Sequence, residues 1–377
     1  MRILVVNAGS SSLKLSLLDD EDGLAGHGEL PATGGEFDPG AVAGVLGRLG
    51  GTADAVGHRV VHGGTQFTGP VRIDAAVRRK LDDLTDLAPL HQPKSLAGVD
   101  AVDRVLPGLP AVACFDTAFH AGMPAAASVY ALPPEWRKRW ELRRYGFHGL
   151  SHAYATRRAG ELTGRVPARL VVCHLGSGAS LAAVRDGRSV DTTMGFTPLE
   201  GLVMGTRSGT VDPGLVLWLA EHAHTPPAEL AATLEHRSGL LGLTGTADMR
   251  EVQGRADDGD DAARLGLDVY LHRLRGSVAS MAAALNGLDT LVFTGGVGEN
   301  SPVIRAAAAA GLAFLGVAVD EDRNAAADGD TDITAPGGAV RVLVVAARED
   351  LEIARQVRSV LPAGAAGPGR AAGEPPR

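Results

Sequence analysis

The sequence predicts an α/β protein of two related domains. Three observations carry this reading. The chain opens with strand, polar turn and strand; the same grammar returns 167 positions later; and segments between show helical spacing. A length of 377 residues agrees, since a single hydrophobic core rarely grows that large.

Ile3 to Val6 is a short apolar run that reads as a buried strand. Asn7 to Ser12 is a Gly/Ser turn, and Leu13 to Leu18 alternates as a half-buried strand does. A Walker loop must open a helix and end in Gly-Lys-Ser/Thr, whereas Lys14 falls on the second strand, which argues against that motif. Leu170 to Cys173 repeats the apolar run, His174 to Gly178 the turn, and Ala179 to Val184 the second strand, before a hairpin signal at Asp186-Gly187. One constant shift superposes Asn7 on His174, Gly9 on Gly176, Ser10 on Ser177 and Asp19 on Asp186. A further strand, Thr290 to Thr294, leads into a third Gly-rich turn, Gly295 to Asn300. Ser301 then reads as an N-cap and Pro302 as the first residue of an Ala-rich helix reaching about Gly311. Between Asp261 and Leu285, the residues Leu267, Leu271, Leu274, Val278, Met281 and Leu285 recur at helical spacing and read as core. The tail from Ala363 to Arg377 has few apolar anchors and is expected to be disordered.

Composition narrows the function classes. The formal charge is −8 and no strong basic run appears, which argues against nucleic acid as a partner. The short clusters Arg137-Lys138-Arg139 and Arg143-Arg144 read as solvated helix faces. No stretch has the length of a transmembrane helix, and no signal-peptide pattern follows Met1-Arg2. Cys114 and Cys173 each sit in an apolar run and read as buried thiols, so a reducing cytoplasm is the expected location.

The chemistry gathers around the glycines. Three Gly-rich turns after strands would let backbone N–H groups approach phosphate without a Cβ in the way, and Lys14 stands near the first; together they suggest a nucleotide. Arg59 and Arg207 are embedded in apolar and Gly-rich surroundings. Such an arginine needs an anion beside it, either a phosphoryl group or a buried carboxylate partner. Asp116 follows an apolar run, a position suited to metal or nucleophile contacts and equally to a helix N-cap. His148 reads either as a catalyst or as a satisfied structural group. No Cys/His cluster has zinc spacing, and no nucleophile elbow occurs in a strand–turn–helix setting.

Taken in order, the blocks VVNAGSSSLK, GHRVVHGG, PLHQPKSL, CFDTAFH, YGFHGLSH, CHLGSGAS, DTTMGFTPLEGLVMGTRSGTVDPG, SGLLGLTGTADMR and FTGGVGEN resemble the acetate kinase family closely, over nearly the whole chain from Val5 to about Val360. The resemblance implies an actin-like ATPase fold: two duplicated ribonuclease-H-like domains with a nucleotide cleft between them. It places the first at 1–118 plus 351–362 and the second at 119–350. It implies reversible transfer of the ATP γ-phosphoryl group to acetate, with Mg²⁺ (Mn²⁺ is possible too) held by Asn7 and Glu349. Asp116, His148 and Arg207 would be catalytic. Arg59 would bind the acetate carboxylate, and Val61, Leu90, Phe147 and Pro198 its methyl group. Lys14, His174, Leu175, Gly176, Ser177, Gly178, Asp248, Met249, Arg250, Gly296, Val297, Gly298, Glu299 and Asn300 would contact ATP. Family members usually form homodimers. A kinase for propionate or butyrate, or a nucleotide-binding module without acid transfer, are the alternatives.

The chain departs from the family pattern in places. Ser177 replaces the usual Asn, Thr210 replaces an acidic residue, and Ala347-Arg348 replaces Thr-Asn before Glu349. The stretch from Leu18 to Gly57 looks short, with no family site residue in it. Acetate is already an anion at neutral pH. Asp116 is therefore expected to orient the metal shell, Arg59 or the incoming carboxylate, not to accept a proton.

Overall fold

The N-terminal apolar run becomes β1 (Ile3–Ala8) in the computed structural model, which describes residues 1–9, 12–31, 37–49, 52–88 and 92–361. The Ala363–Arg377 tail and Leu90 lie outside the described residues. The described chain divides into two units, Met1–Phe119 with the segment from Arg348 onward, and His120–Ala347.

In the first unit β1 is followed by β2 (Ser12–Leu18), β3 (Leu24–Pro31), β4 (Ala55–Val60), β5 (Val71–Arg72) and β6 (Ala111–Phe115). They form one sheet in the order β3-β2-β1-β4-β6-β5. β1, β4 and β6 are parallel neighbours; β2, β3 and β5 pair antiparallel. β1 is apolar almost throughout because helices cover both faces of a parallel sheet centre, while β2 alternates buried Leu13, Leu15 and Leu17 with exposed Lys14. The helix Pro39–Arg48, capped by Asp38, adds Val42 and Val45 to this core. The C-terminal helix Glu349–Val360 packs so closely on β4 that a Cβ on Gly57 would stand 2.5 Å from Ile353 Cγ2.

The second unit repeats the plan with β7 (Arg169–Leu175), β8 (Ala179–Arg185), β9 (Arg188–Thr192), β10 (Thr290–Thr294), β11 (Thr331–Asp332) and β12 (Arg341–Val344). The order β11-β12-β10-β7-β8-β9 is that of the first sheet read from the other edge, with the same parallel and antiparallel neighbours. The shift of 167 carries β2 onto β8 residue for residue. Cross-strand register differs by one place, since Ala8 faces Leu13 whereas Leu175 faces Ala179. Asp186 and Gly187 both take positive φ, 49° and 79°, and close the predicted hairpin between β8 and β9.

Several expectations need correction. Asn7, Ala8, His174 and Leu175 belong to strands and not to turns, because the ladder continues through Asn7↔Lys14 and His174↔Ser180. Gly295–Asn300 is a short helix, not an open turn; Ser301 N bonds Val297 O across its end. Ser301 does cap the next helix, Pro302–Ala310, by accepting from Ile304 N. The helix Asp261–Leu285 has the predicted bounds and buries Leu274, Val278, Met281 and Leu285. In its first half Ala263, Gly266 and Tyr270 are buried, leaving Leu267 and Leu271 at the flank. Arg143-Arg144 is no solvated helix face: Arg144 donates to Thr193 O, Met194 O and Glu200 Oε1. Cys114 and Cys173 are buried free thiols, as expected.

Candidate active site

In the first unit the parallel strands deliver their chemistry at their C-terminal ends, where open α/β sheets commonly bind ligands. Asn7 is the penultimate residue of β1, Arg59 of β4, and Asp116 directly follows β6. Arg59 Nη2 donates to Asp116 Oδ2 at 2.6 Å, and its Nε lies 3.0 Å from the same oxygen. Arg59 Nη1 donates to Asn7 Oδ1 at 3.1 Å, and Asn7 Nδ2 donates to Glu349 Oε2 at 3.2 Å. Four residues, three of them 52 and 57 positions apart in turn and the fourth 342 positions from Asn7, thus form one network. Burial works against the charge on Arg59, but Asp116 and Glu349 outweigh it and raise its pKa further. Of the two partners open from sequence, Arg59 has the buried carboxylate. Asp116 is 1% exposed.

Lys14 lies on β2 directly across from Asn7 and is exposed. Val61 is buried. Arg348, the departure beside Glu349, gives its guanidinium to Asp350, with Nε–Oδ1 and Nη2–Oδ2 both 2.9 Å. Among the described residues no three His, Cys, Asp or Glu groups are placed to hold a metal. Glu349 brings a carboxylate and Asn7 an amide oxygen, although here Asn7 Oδ1 accepts from Arg59 and it is Asn7 Nδ2 that meets Glu349, so only the donor types, not their present orientation, match a hard cation. Such donors suit Mg²⁺, which keeps waters and takes one or two protein oxygens alongside substrate phosphates.

In the second unit a chamber of about 820 Å³ collects segments that the sequence keeps far apart. Its walls include Gly176 and Ser177 after β7, Asp248, Met249 and Arg250 at the start of the helix Met249–Asp257, and Gly296, Val297 and Asn300 in the short helix after β10. Tyr270 and Gln253 also line it and carried no signal in the sequence. Ser177, one of the departures, is therefore part of the wall. Asp248 caps its helix through Arg250 N, and its pairing with the Arg250 side chain lowers its carboxyl to about 2. Leu175 and Gly298 are buried and outside the wall. Glu299 is outside it too: its Oε1 accepts from Ala347 N, and burial raises its pKa.

His148 and Arg207 meet at Gly178. A Cβ on Gly178 would stand 3.3 Å from Arg207 Nη1 and 3.4 Å from His148 Nε2, so both side chains border the space above this glycine. His148 is the N-cap of the helix Gly149–Thr163 and holds left-handed φ 57°, ψ 23° without capping through its side chain. A non-glycine residue in that region costs free energy, which is met elsewhere in the fold when the side chain has a task. Its ring lies over that of His174, centroids 4.4 Å apart, and His174 Nδ1 is 2.8 Å from Ser151 Oγ. Arg207 forms an ion pair with Glu235, Nε to Oε1 2.8 Å, and donates to the carbonyl of Pro198. Glu235 lies on the helix Pro227–His236, and nothing in its sequence context marked it. Phe147 and Pro198 are buried. Gly146 takes φ 75° under His120, whose ring atoms a Cβ would meet at 2.7 Å. Thr210 ties Gly201 by accepting its N–H at 3.1 Å.

The chain matches the model of the acetokinase family over residues 47–355. A curated acetate kinase of Leifsonia xyli subsp. xyli is 46% identical over 394 residues, 96% of this chain and 99% of that one. Another from Clavibacter michiganensis subsp. michiganensis is 51% identical over 305 residues, 80% of this chain and 77% of that one. Among solved structures, Porphyromonas gingivalis acetate kinase superposes with TM-score 0.88 at 36% identity, over 96% of this chain and 99% of that one. A propionate kinase from Francisella tularensis subsp. tularensis superposes with TM-score 0.89 at 37% identity, over 96% and 100%.

Proposed function

The chain belongs to the acetokinase family, and from that premise we propose that it transfers the γ-phosphoryl group of ATP to acetate, reversibly, giving acetyl phosphate and ADP. One observation carries the reading. A chamber of nucleotide size has Gly176 and Ser177 in its wall, and the next glycine, Gly178, is flanked by His148 Nε2 and Arg207 Nη1.

The barrier is electrostatic. Acetate and the γ-phosphate are both anions, and two unit charges ~4 Å apart at an effective dielectric near 20 repel by about 4 kcal/mol. Arg59 takes the acetate carboxylate. Asp116 holds the Arg59 fork in plane, so its role is orientation. Arg207 and His148 stabilise charge on the transferring phosphoryl oxygens, where positioning and electrostatics supply nearly all the catalysis. Asn7 and Glu349 would hold Mg²⁺, which when bound neutralises phosphate charge. Lys14 and the residues of the chamber wall are proposed for ATP, and Val61, Leu90, Phe147 and Pro198 for the methyl group. A reducing cytoplasm fits the two buried thiols. A homodimer would cover the exposed apolar residues Leu215, Leu217 and Trp218 on the helix Pro213–His222, which buries none of its own residues.

The likeness to a propionate kinase supports a second, overlapping acid. One methylene changes apolar binding by only ~1 to 3 kcal/mol, so propionate is turned over more slowly but measurably. Hydroxamate detection of acyl phosphate, with ATP, Mg²⁺ and either acetate, propionate or butyrate, tests both readings. Acetate gives the highest kcat/KM. A higher value for butyrate would reassign the acid, and no acyl phosphate from any of the three would refute the transfer.

A further inference from the structure

Behind His148 lies a hydrogen-bonded chain to which the proposed transfer has so far given no role. Ser180, wholly buried on β8, has its Oγ 3.0 Å from His148 Nδ1 and 2.7 Å from His152 Nε2. A hydroxyl has one proton to give and can accept others. It therefore cannot donate to both rings, and its orientation is coupled to the tautomer of each.

His152 decides the arrangement. Its ring is wholly buried, and its Nδ1 has no hydrogen-bond partner among the described residues. Burial, followed by the neighbouring rings of His120 and His174, holds its pKa well below the ordinary value, so the ring is neutral and carries a single proton. Were that proton on Nδ1, a buried N–H donor would be left unmade, which folded proteins rarely tolerate; a bare acceptor is less costly. The proton therefore sits on Nε2 and is donated to Ser180 Oγ. Ser180 O–H is then directed at the remaining partner, His148 Nδ1, which must be an unprotonated acceptor. Donation by both rings into Oγ would instead strand the hydroxyl proton in the core.

We infer that Ser180 is a positioning residue that fixes His148 as a neutral ring with its proton on Nε2, the edge beside Arg207 and Gly178. The inference deepens the phosphoryl role proposed for His148 and rests on it. His148 then serves the transferring group as a hydrogen-bond donor, and Arg207 is the cation of the pair. An imidazolium at His148 would carry a proton on Nδ1 and break the chain back to His152.

Nitrogen NMR of the full-length protein labelled with ¹⁵N-histidine reads the ring directly, with His148 identified by its loss in His148→Gln. At neutral pH the wild-type protein shows a proton-bearing Nε2 and a bare Nδ1. Ser180→Ala shows a mixture of tautomers and lowers kcat by about tenfold to a hundredfold, with both KM values little changed. Ser180→Thr, which keeps the hydroxyl, retains the wild-type signature. A wild-type ring protonated on Nδ1, or on both nitrogens, overturns the inference without any variant. So does Ser180→Ala with an unaltered tautomer. Near-normal kcat in His148→Gln would refute the phosphoryl role itself, a result separate from the ring spectrum.

Discussion

Arg59 carries its charge to a place where only 17% of its side chain meets water, and it can do so because Asp116 is already there. The pairing explains why a carboxylate is needed in a reaction whose acceptor has no proton to lose. Asp116→Asn removes the charge that orients the guanidinium. It is expected to raise the KM for acetate, to lower kcat on the order of 100-fold through misplacement of Arg59, and to leave the shape of the pH–rate profile intact. Disappearance of one base-like ionisation, with acetate KM unchanged, would make Asp116 a proton acceptor instead. At this scale the sequence was partly legible. Both arginines stood out because their surroundings are apolar, and the need for an anion follows from burial alone. Which anion could not be read: Asp116 is 57 residues from Arg59, and the Glu235 partner of Arg207 sits on a surface-like helix. Ser180 was legible only as one small residue of a strand.

The short helix Gly295–Asn300 shows how an element is held for function. Glycines make a weak helix, and the sequence read this one as an open turn. What stabilises it is Arg305, 1% exposed, which donates to the carbonyls of Gly298 and Glu299 and to Asn324 Oδ1 and O. A lone arginine in an Ala-rich helix gives no hint of this in sequence, because three of its four acceptors are backbone atoms. Arg305→Met would take the guanidinium donor from four oxygens, three of them backbone carbonyls. It is expected to cost about 3 kcal/mol or more in denaturant unfolding and to weaken ATP binding, since Gly296, Val297 and Asn300 line the chamber. Unchanged stability together with unchanged nucleotide affinity would show that the helix stands without the arginine. Strand and helix positions were more legible than their ends. The helix Asp261–Leu285 was bounded correctly by its apolar spacing, whereas β1 and β7 outran their apolar runs because backbone pairing ignores a polar side chain at a strand end.

Across the whole molecule the duplicated plan was visible as a shift of 167 residues, and both sheets share one strand order. The shift could be read because a hairpin's length is set by its turn and strand periodicity. The one-residue difference in register could not, since it depends on local turn geometry between Gly176 and Gly178. The central claim concerns charge: fixed donors and cations let two anions react. Arg207→Ala tests it most directly, with kcat for acetyl phosphate formation and the ATP dissociation constant measured separately. Removal of an arginine that stabilises the transferring phosphoryl is expected to lower kcat by on the order of 10³-fold or more while ATP still binds. A kcat near that of the wild-type chain would contradict the account.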